Sequence, residues 1–324
     1  MMIERNELNQ NSQGGTELMM EGLAKRVPPE LLEQVQIIPS RVRQLSTDKH
    51  RIYWLHDLPN DPESKHLENN GWDKFDKLVF VSNWQMQIYM GAYNIPPSKC
   101  VVLQNAVVPI PEHKKPTDKT RLIYFSTPHR GLDILVPVFQ KLSEEFDNIE
   151  LDVYSSFKLY GWEQRDVEFE ALFEQCRQHP KINYHGSVSN EEIREALTKS
   201  HILAYPSTWP ETSCLVLLES MSAGLLCAHP NFAGLSETGA NWTNMYQTHE
   251  DKNAHANIFY GVLKSSIENI NADSTQLHLR GQKSYTDLFY NWDFRAAQWT
   301  SFLEGILQTP KVCEQQANFF SYRT

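Results

Sequence analysis

Cysteine is scarce in this chain, and the few present form no pattern. The five cysteines (100, 176, 214, 227 and 313) are odd in number and include no C-x-x-C pair. That argues against a disulfide framework or a zinc knuckle and fits reduced thiols in a cytosolic compartment. Long apolar runs are missing too. No stretch approaches the roughly 18 apolar residues of a membrane span, and residues 1–13 are polar with no hydrophobic signal core, so neither a span nor a secretory leader is expected. No G-x-G-x-x-G follows an apolar strand-like run, which disfavours dinucleotide binding. No solenoid-period repeat and no low-complexity segment occurs.

What is present describes a soluble globular protein. Its 324 residues, 40% hydrophobic and 22% charged, are enough for two domains with ordinary cores. The net charge of −10 argues against a general nucleic-acid binder, but it is unevenly spread. Residues 1–110 hold 11 Lys/Arg against 13 Asp/Glu, leaving 19 against 27 for the remainder. Lys25, Arg26, Arg41, Arg43, Lys49 and Arg51 gather in one span. Two readings stand for them: a solvated face, or a weak contact with an acidic acceptor or a membrane surface.

Short apolar runs alternate with longer amphipathic ones, the pattern of parallel sheets covered by helices. Strands are expected at 35–38, 52–55, 78–82 and 101–103, with helices at about 17–26 and 84–92, the second capped by the Ser82 hydroxyl. Residues 109–118 hold three prolines and no periodicity and read as the linker. Beyond it, strands are expected at 121–126, 151–154, 182–184, 202–205, 225–228 and 244–246. Helices are expected at about 132–146, 163–179, 190–199 and 214–222, and a long amphipathic helix at 292–307. The assembly this predicts is two Rossmann-like domains facing across a cleft, spanning 1–110 and 111–290, with ligands at the carboxyl ends of the strands. Residues 291–308 form the final helix and 309–324 a tail.

The most informative stretch runs from Pro206 to Ser220. An apolar strand reaches Pro206, a polar loop follows, and then an apolar helix; Glu211 and Glu219 stand with seven residues between them. Backbone N–H groups at such a helix start favour anionic or hydroxyl-rich ligands. Two carboxylates there would repel a phosphate, yet they suit the diols of a sugar or ribose, to which charge-assisted hydrogen bonds contribute roughly 1.5–3 kcal/mol each. The plain alternative is one cap and one solvated glutamate.

This E-x7-E arrangement after a P-S-x-x-P strand end resembles the retaining glycosyltransferases of family 4, which have the GT-B architecture. Further matches follow in order along nearly the whole chain: Gln13-Gly-Gly-Thr-Glu17, Trp54-Leu-His-Asp57, Leu103-Gln-Asn-Ala-Val107, Ser126-Thr-Pro-His-Arg-Gly-Leu-Asp-Ile-Leu135, Tyr184-His-Gly-Ser-Val188 and Gly224-Leu-Leu-Cys-Ala-His-Pro230. The resemblance implies an α/β GT-B fold whose last helix crosses back onto the first domain. It also implies transfer of a sugar from a UDP- or GDP-type donor to the hydroxyl of a glycan, lipid-linked or protein acceptor, with retention. The localisation it implies is cytoplasmic, or peripheral at the inner membrane face.

The resemblance also assigns residues. Gly14, Gly15 and Thr16 look like the loop that closes over the donor diphosphate, although by themselves Gly-Gly before a helix is an ordinary turn. Arg130, whose guanidinium can grip a diphosphate with two donors, matches the second of two expected phosphate cations. The first falls near Thr127, and either Lys158 supplies the missing charge or it is an exposed loop lysine. His56 matches a histidine that reaches the donor sugar, with Asp57 orienting it or touching the acceptor. Ser187 and Val188 match the segment that reads the base. Glu219 is expected on the ribose, and Glu211 with the N–H groups of Thr212, Ser213, Cys214 and Leu215 on the hexose. Arg130, Glu211 and His56 are the catalytic candidates.

No D-x-D occurs, so no metal bridging the diphosphate is expected and no cofactor beyond the donor. Two departures from the family matter. Residues 1–13 contain only Ile3 and Leu8 as non-Met apolar residues, so the usual first strand is short or missing, and Ala106 replaces the glycine of an N-G turn. A non-catalytic relative that keeps the pocket, a phosphorylase or epimerase on the same architecture, and a dehydrogenase remain as alternatives.

Overall fold

A computed structural model describes residues 14–312. The expected first strand in 1–13, Gln13 of the glycine motif, Cys313 and the remainder of the tail lie outside the described residues. The described chain divides into two compact units, 14–106 with 290–312, and 107–289.

The first unit is a parallel sheet of four strands in chain order, β1 (Val35–Pro39), β2 (His50–Leu55), β3 (Lys77–Phe80) and β4 (Cys100–Val102). Strand β2 is buried at every position, as a strand covered on both faces must be. Its helices are α1 (Gly15–Ala24), the single turn α2 (Pro29–Leu32) and α3 (Asn83–Tyr93). Ser82 caps α3 as expected, its hydroxyl accepting the Gln85 N–H at 3.0 Å. Two short 3-10 helices, Pro62–Leu67 and Gly71–Lys74, fill the β2–β3 connection; hydrophobic periodicity gives no sign of such brief turns. The helix Trp292–Leu307 also packs in this unit, after the chain has left and returned. Trp299 meets Trp54 edge-on at 4.9 Å, and a Cβ on Gly22 would overlap the Trp292 ring at 1.9 Å.

The second unit is a parallel six-stranded sheet built from β5 (Thr120–Phe125), β6 (Ile149–Tyr154), β7 (Ile182–Tyr184), β8 (Ile202–Ala204), β9 (Leu226–Asn231) and β10 (Asn244–Gln247). Their order across the sheet is β10-β9-β8-β5-β6-β7. That is the doubly wound 3-2-1-4-5-6 order, and the winding reverses between β5 and β8, which opens a ligand crevice beyond their carboxyl ends. Helices α4 (Leu132–Glu145), α5 (Glu170–Gln178), α6 (Asn190–Lys199), α7 (Leu215–Ser222) and α8 (Leu235–Gly239) follow strands β5 to β9 in turn. In α4 the fully buried Leu132, Leu135, Val136, Phe139 and Leu142 recur at helical spacing and form the stripe that covers the sheet. A capping box, Ser189 with Glu192, starts α6.

Three expectations change. The helix read over 163–179 is a 3-10 segment, Glu163–Phe169, leading into α5. Its first half lacks an apolar stripe, and Val167 is 76% exposed. Helices α9 (Lys252–Asn269) and α10 (Asp273–Phe289) have no counterpart in the sequence pattern, because His255, Ser266, Gln282 and Thr286 interrupt their buried faces. The proline-rich segment 109–118 carries no helix or strand, yet it is tied down along the second unit. The Ile110 N–H donates to Ser222 Oγ, and Lys115 Nζ donates to the Gly224 carbonyl, both at 2.9 Å. Among the described residues no helix is long and apolar enough to cross a membrane.

Candidate functional site

Strands β5 and β8 flank the reversal of the second sheet, and the loops after them converge. After β5 the chain makes a 3-10 turn, Pro128–Arg130, and enters α4 through Gly131 at φ +103°. A side chain on Gly131 would be strained by this conformation and would also meet the Pro206 carbonyl oxygen at 2.3 Å. Arg130 is thereby pressed against the loop after β8. Its Nη1 donates to both oxygens of Glu211, at 2.9 and 3.1 Å.

Glu211 is buried, and its Oε1 also accepts from the Tyr205 hydroxyl at 2.6 Å. Burial works against the Arg130 charge, but Glu211 together with the smaller contributions of Tyr205, Tyr160 and Cys214 outweighs it and holds the guanidinium well above its usual range. Arg130 Nε, also buried, has no hydrogen-bond partner. The Glu211 backbone is fixed from behind, where its carbonyl accepts the Gly234 N–H at 2.8 Å. A Cβ on Gly234 would lie 2.5 Å from the Thr212 carbonyl oxygen.

Thr212 and Ser213 are half-buried, Cys214 is buried at the N-cap of α7, and Leu215 opens the helix. Their N–H groups are the loop and first-turn donors beside Glu211. One turn along α7, Glu219 is buried and weakly held, accepting from Asn190 Nδ2 at 3.4 Å and Arg194 Nη1 at 3.5 Å. Burial pushes its carboxyl up, partly offset by Arg194. Ser187 and Val188 lie in the β7–α6 loop beside Gly186, where a Cβ would meet open space. Arg130, Glu211, the 212–215 loop and Glu219 thus share the carboxyl-terminal edge of one sheet.

Lys158 and Thr127 are placed otherwise. Lys158 is exposed on a 3-10 turn, and its ammonium pairs with Glu163 at 3.1 Å. Thr127 is buried, with its carbonyl accepting from Tyr124. His129 stacks on Phe157 at 5.3 Å and meets Trp209 edge-on at 4.9 Å. Burial lowers its imidazole to about 4, so it is an uncharged packing residue.

In the first unit, Gly14 is the N-cap of α1, with Gly15 and Thr16 in its first turn. His56 follows β2, its ring 4.7 Å from that of Trp54, and burial lowers it to about 3. The Asp57 carboxylate accepts from the Ser40 hydroxyl, while its carbonyl accepts from Gln85 Nε2 at 2.9 Å. The basic span is largely engaged. Arg51 is buried and donates to the Ser46 carbonyl, Arg43 pairs with Glu63, Lys25 pairs with Glu21 and Lys49 donates to the Glu33 carbonyl.

Sequence reasoning misses Tyr205, Gly234, Asn190 and Arg194. The apolar run makes Tyr205 the last residue of a strand; β8 ends at Ala204, and the Tyr205 hydroxyl donates to Glu211 Oε1. The others become partners only through tertiary packing.

The fold, two Rossmann-like parallel sheets, is that of GT-B glycosyltransferases. A glycosyltransferase from Rickettsia africae superimposes with a TM-score of 0.67 at 16% identity, covering 94% of this chain and 85% of that one. Anabaena Alr3699/HepE, solved with UDP and glucose, gives 0.65 at 16% identity over 87% of this chain and 81% of that one. Residues 110–259 match the family model described as Glycosyl transferases group 1. The Saccharomyces cerevisiae phosphatidylinositol N-acetylglucosaminyltransferase GPI3 subunit is 24% identical over 217 residues, 63% of this chain and 46% of that protein. A phosphatidylinositol N-acetylglucosaminyltransferase subunit from Arabidopsis thaliana is 24% identical over 198 residues, 58% of this chain and 42% of that protein. The chain therefore spans less than half the length of the curated relatives it matches. Together these likenesses give the GT-B fold and a similarity of residues 110–259 to glycosyl transferases group 1.

Proposed function

We propose that the chain transfers a sugar from a nucleotide-diphosphate sugar to an acceptor hydroxyl, with the donor held by residues 107–289. The observation that carries this is the Arg130–Glu211 pair at the winding reversal of the six-stranded sheet, with Glu219 buried further along α7. A phosphate beside Glu211 alone would be repelled. Pairing with Arg130 offsets that repulsion, and the unpartnered Nε gives the guanidinium a further donor for a phosphate oxygen. The N–H groups of the 212–215 loop and the dipole of α7 add to the same end. Glu211 is then left to accept from sugar hydroxyls, while Glu219, loosely held by its protein partners, accepts from the ribose diol. The part of the first unit, through His56, Asp57 and the Gly14–Thr16 amides, is proposed from the resemblance alone.

In this reaction the bond from the sugar's anomeric carbon to the phosphate oxygen breaks, and a bond to the acceptor oxygen forms on the same face. The departing phosphate takes the acceptor's proton, so no separate base is required. Protein groups neutralise the leaving diphosphate without a divalent ion. The relatives' names make UDP-N-acetylglucosamine the first donor to test and phosphatidylinositol the first acceptor; an acceptor of that kind would place the chain at a membrane surface. Thermal-shift screening of UDP- and GDP-sugars, followed by turnover on acceptor vesicles with chelator or magnesium, tests the reading. Stabilisation by a nucleotide sugar and chelator-resistant turnover are expected. Turnover that vanishes with chelator and returns with magnesium would end the metal-independent reading, and indifference to every nucleotide sugar would end the whole.

A second reading has one observation in its favour. Buried Thr127 replaces the first phosphate cation, and Lys158 is engaged by Glu163, which fits a non-catalytic relative that keeps the pocket. Donor binding without turnover over a broad acceptor panel is its signature.

A further inference from the structure

The opposite edge of the second sheet holds a crevice of about 370 Å³, within the range of roughly 300–1,000 Å³ typical of small-molecule sites. It lies between the carboxyl half of α9 and the amino half of α10. Leu226 and Asn244, the first residues of β9 and β10, line it, so it is at the strands' amino ends, whereas Arg130 and Glu211 are at their carboxyl ends.

Its floor holds an unsatisfied acceptor. Gln282 is fully buried and lines the crevice. Its Nε2 donates to the Leu225 carbonyl at 2.8 Å; a carbonyl can only accept, which fixes the orientation of the amide. The other end, Oε1, is buried with no hydrogen-bond partner. Buried acceptors are normally paired, and a donor brought in through the crevice would pair this one. The wall includes Trp242, whose ring is held by Tyr285 at 5.7 Å and by Gly281, where a Cβ would lie 2.9 Å from it. The mouth is edged by exposed Ser265 and Ser274.

No Lys, Arg, Asp or Glu lines the crevice, and the one histidine, His278, has Nε2 within 2.8 Å of the Trp242 carbonyl. Nothing there selects an anion or a cation. An aromatic wall, hydroxyl groups at the rim and a buried amide acceptor fit a compact neutral molecule with apolar C–H faces and several hydroxyl donors. We propose that this crevice is a second binding site, for a neutral polyol of monosaccharide size. It is independent of the transfer reading, since it uses none of the same residues.

Saturation-transfer NMR on the full chain tests it with glucose, N-acetylglucosamine and myo-inositol as probes, each with and without saturating UDP. Transfer to at least one probe is expected, undiminished by UDP. Ser265→Leu and Ser274→Leu place side chains across the mouth from exposed positions, so melting temperature should hold while the probe's affinity falls about tenfold or more. Gln282→Met, which removes the buried acceptor, should weaken the probe as well. Silence from all three probes, affinity unchanged in both serine variants, or displacement by UDP would overturn the proposal.

Discussion

Gly131 and Pro206 stand so close that no side chain fits between them: a Cβ on Gly131 would lie 2.3 Å from the Pro206 carbonyl oxygen. This contact joins the loops that carry Arg130 and Glu211, so the ion pair inherits its geometry from a backbone approach.

Replacing Gly131 with alanine should therefore cost both fold and site. The φ of +103° carries strain of about 1–3 kcal/mol for a residue with a side chain, and the overlap with Pro206 adds to it. Gly224→Ala is the control: its φ is +67°, but the space around a Cβ is open, so only about 1–2 kcal/mol of left-handed strain applies. Urea unfolding should rank Gly131→Ala as the less stable, and only that variant should lose nucleotide-sugar binding through a displaced Arg130. Equal stability losses would show that the approach to Pro206 does not matter.

The Arg130–Glu211 pair makes a different prediction. Glu211 is 7% and Arg130 21% exposed in their side chains, so removing one partner leaves a charge poorly solvated. Arg130→Met should destabilise by about 3 kcal/mol and abolish turnover. Glu211→Gln keeps the shape and one acceptor, and should cost less stability while lowering kcat/KM for the donor. In a double-mutant cycle, Arg130→Met with Glu211→Gln should be less destabilised than the sum of the single variants. Strict additivity would mean that the pair is not coupled.

Glu219 should reveal itself through pH. Burial raises its carboxyl above the ordinary value, so protonation of the folded protein begins at a higher pH than in the unfolded chain. The ionised form that would accept the ribose diol is then lost as pH falls through this raised value, and donor affinity should fall with it while the protein is still folded. Glu219→Ala should weaken the donor chiefly through KM and remove the pH limb. A pH limb that persists in Glu219→Ala would assign it to another group.

The alternation of apolar and amphipathic runs predicts both sheets, because parallel strands buried on two faces leave short, unmistakable apolar blocks. Ile182–Tyr184 and Asn190–Lys199 are found where the pattern places them. Helices α9 and α10 escape such a reading because their buried faces include His255, Ser266, Gln282 and Thr286; His255 bonds to Tyr246 and Gln282 to the Leu225 carbonyl, while Ser266 and Thr286 donate to carbonyls of their own helices. The site divides in the same way. Glu211, Arg130 and Glu219 stand out by type and spacing, whereas Tyr205 and Gly234 matter through neighbours that only the folded chain supplies.

Acid should unfold the protein through its buried histidines. Burial lowers His56 to about 3 and His66, His129, His201 and His229 to about 4. The unfolded chain takes up these protons near pH 6.5, the folded one only lower, so between those values the unfolded state binds more protons. Stability therefore rises with pH across this window and is lost as pH falls from about 6.5 toward 4. Fully buried His229 alone should contribute a slope of about 1.4 kcal/mol per pH unit. Its Nε2 contacts Thr243 Oγ1 at 2.7 Å and its Nδ1 lies 2.9 Å from the Pro230 carbonyl, so His229→Asn should lower stability at pH 7 yet flatten the acid limb. Urea unfolding of both proteins at half-unit pH steps measures the two slopes, and an unchanged slope in the variant would show that His229 takes its proton in the folded state.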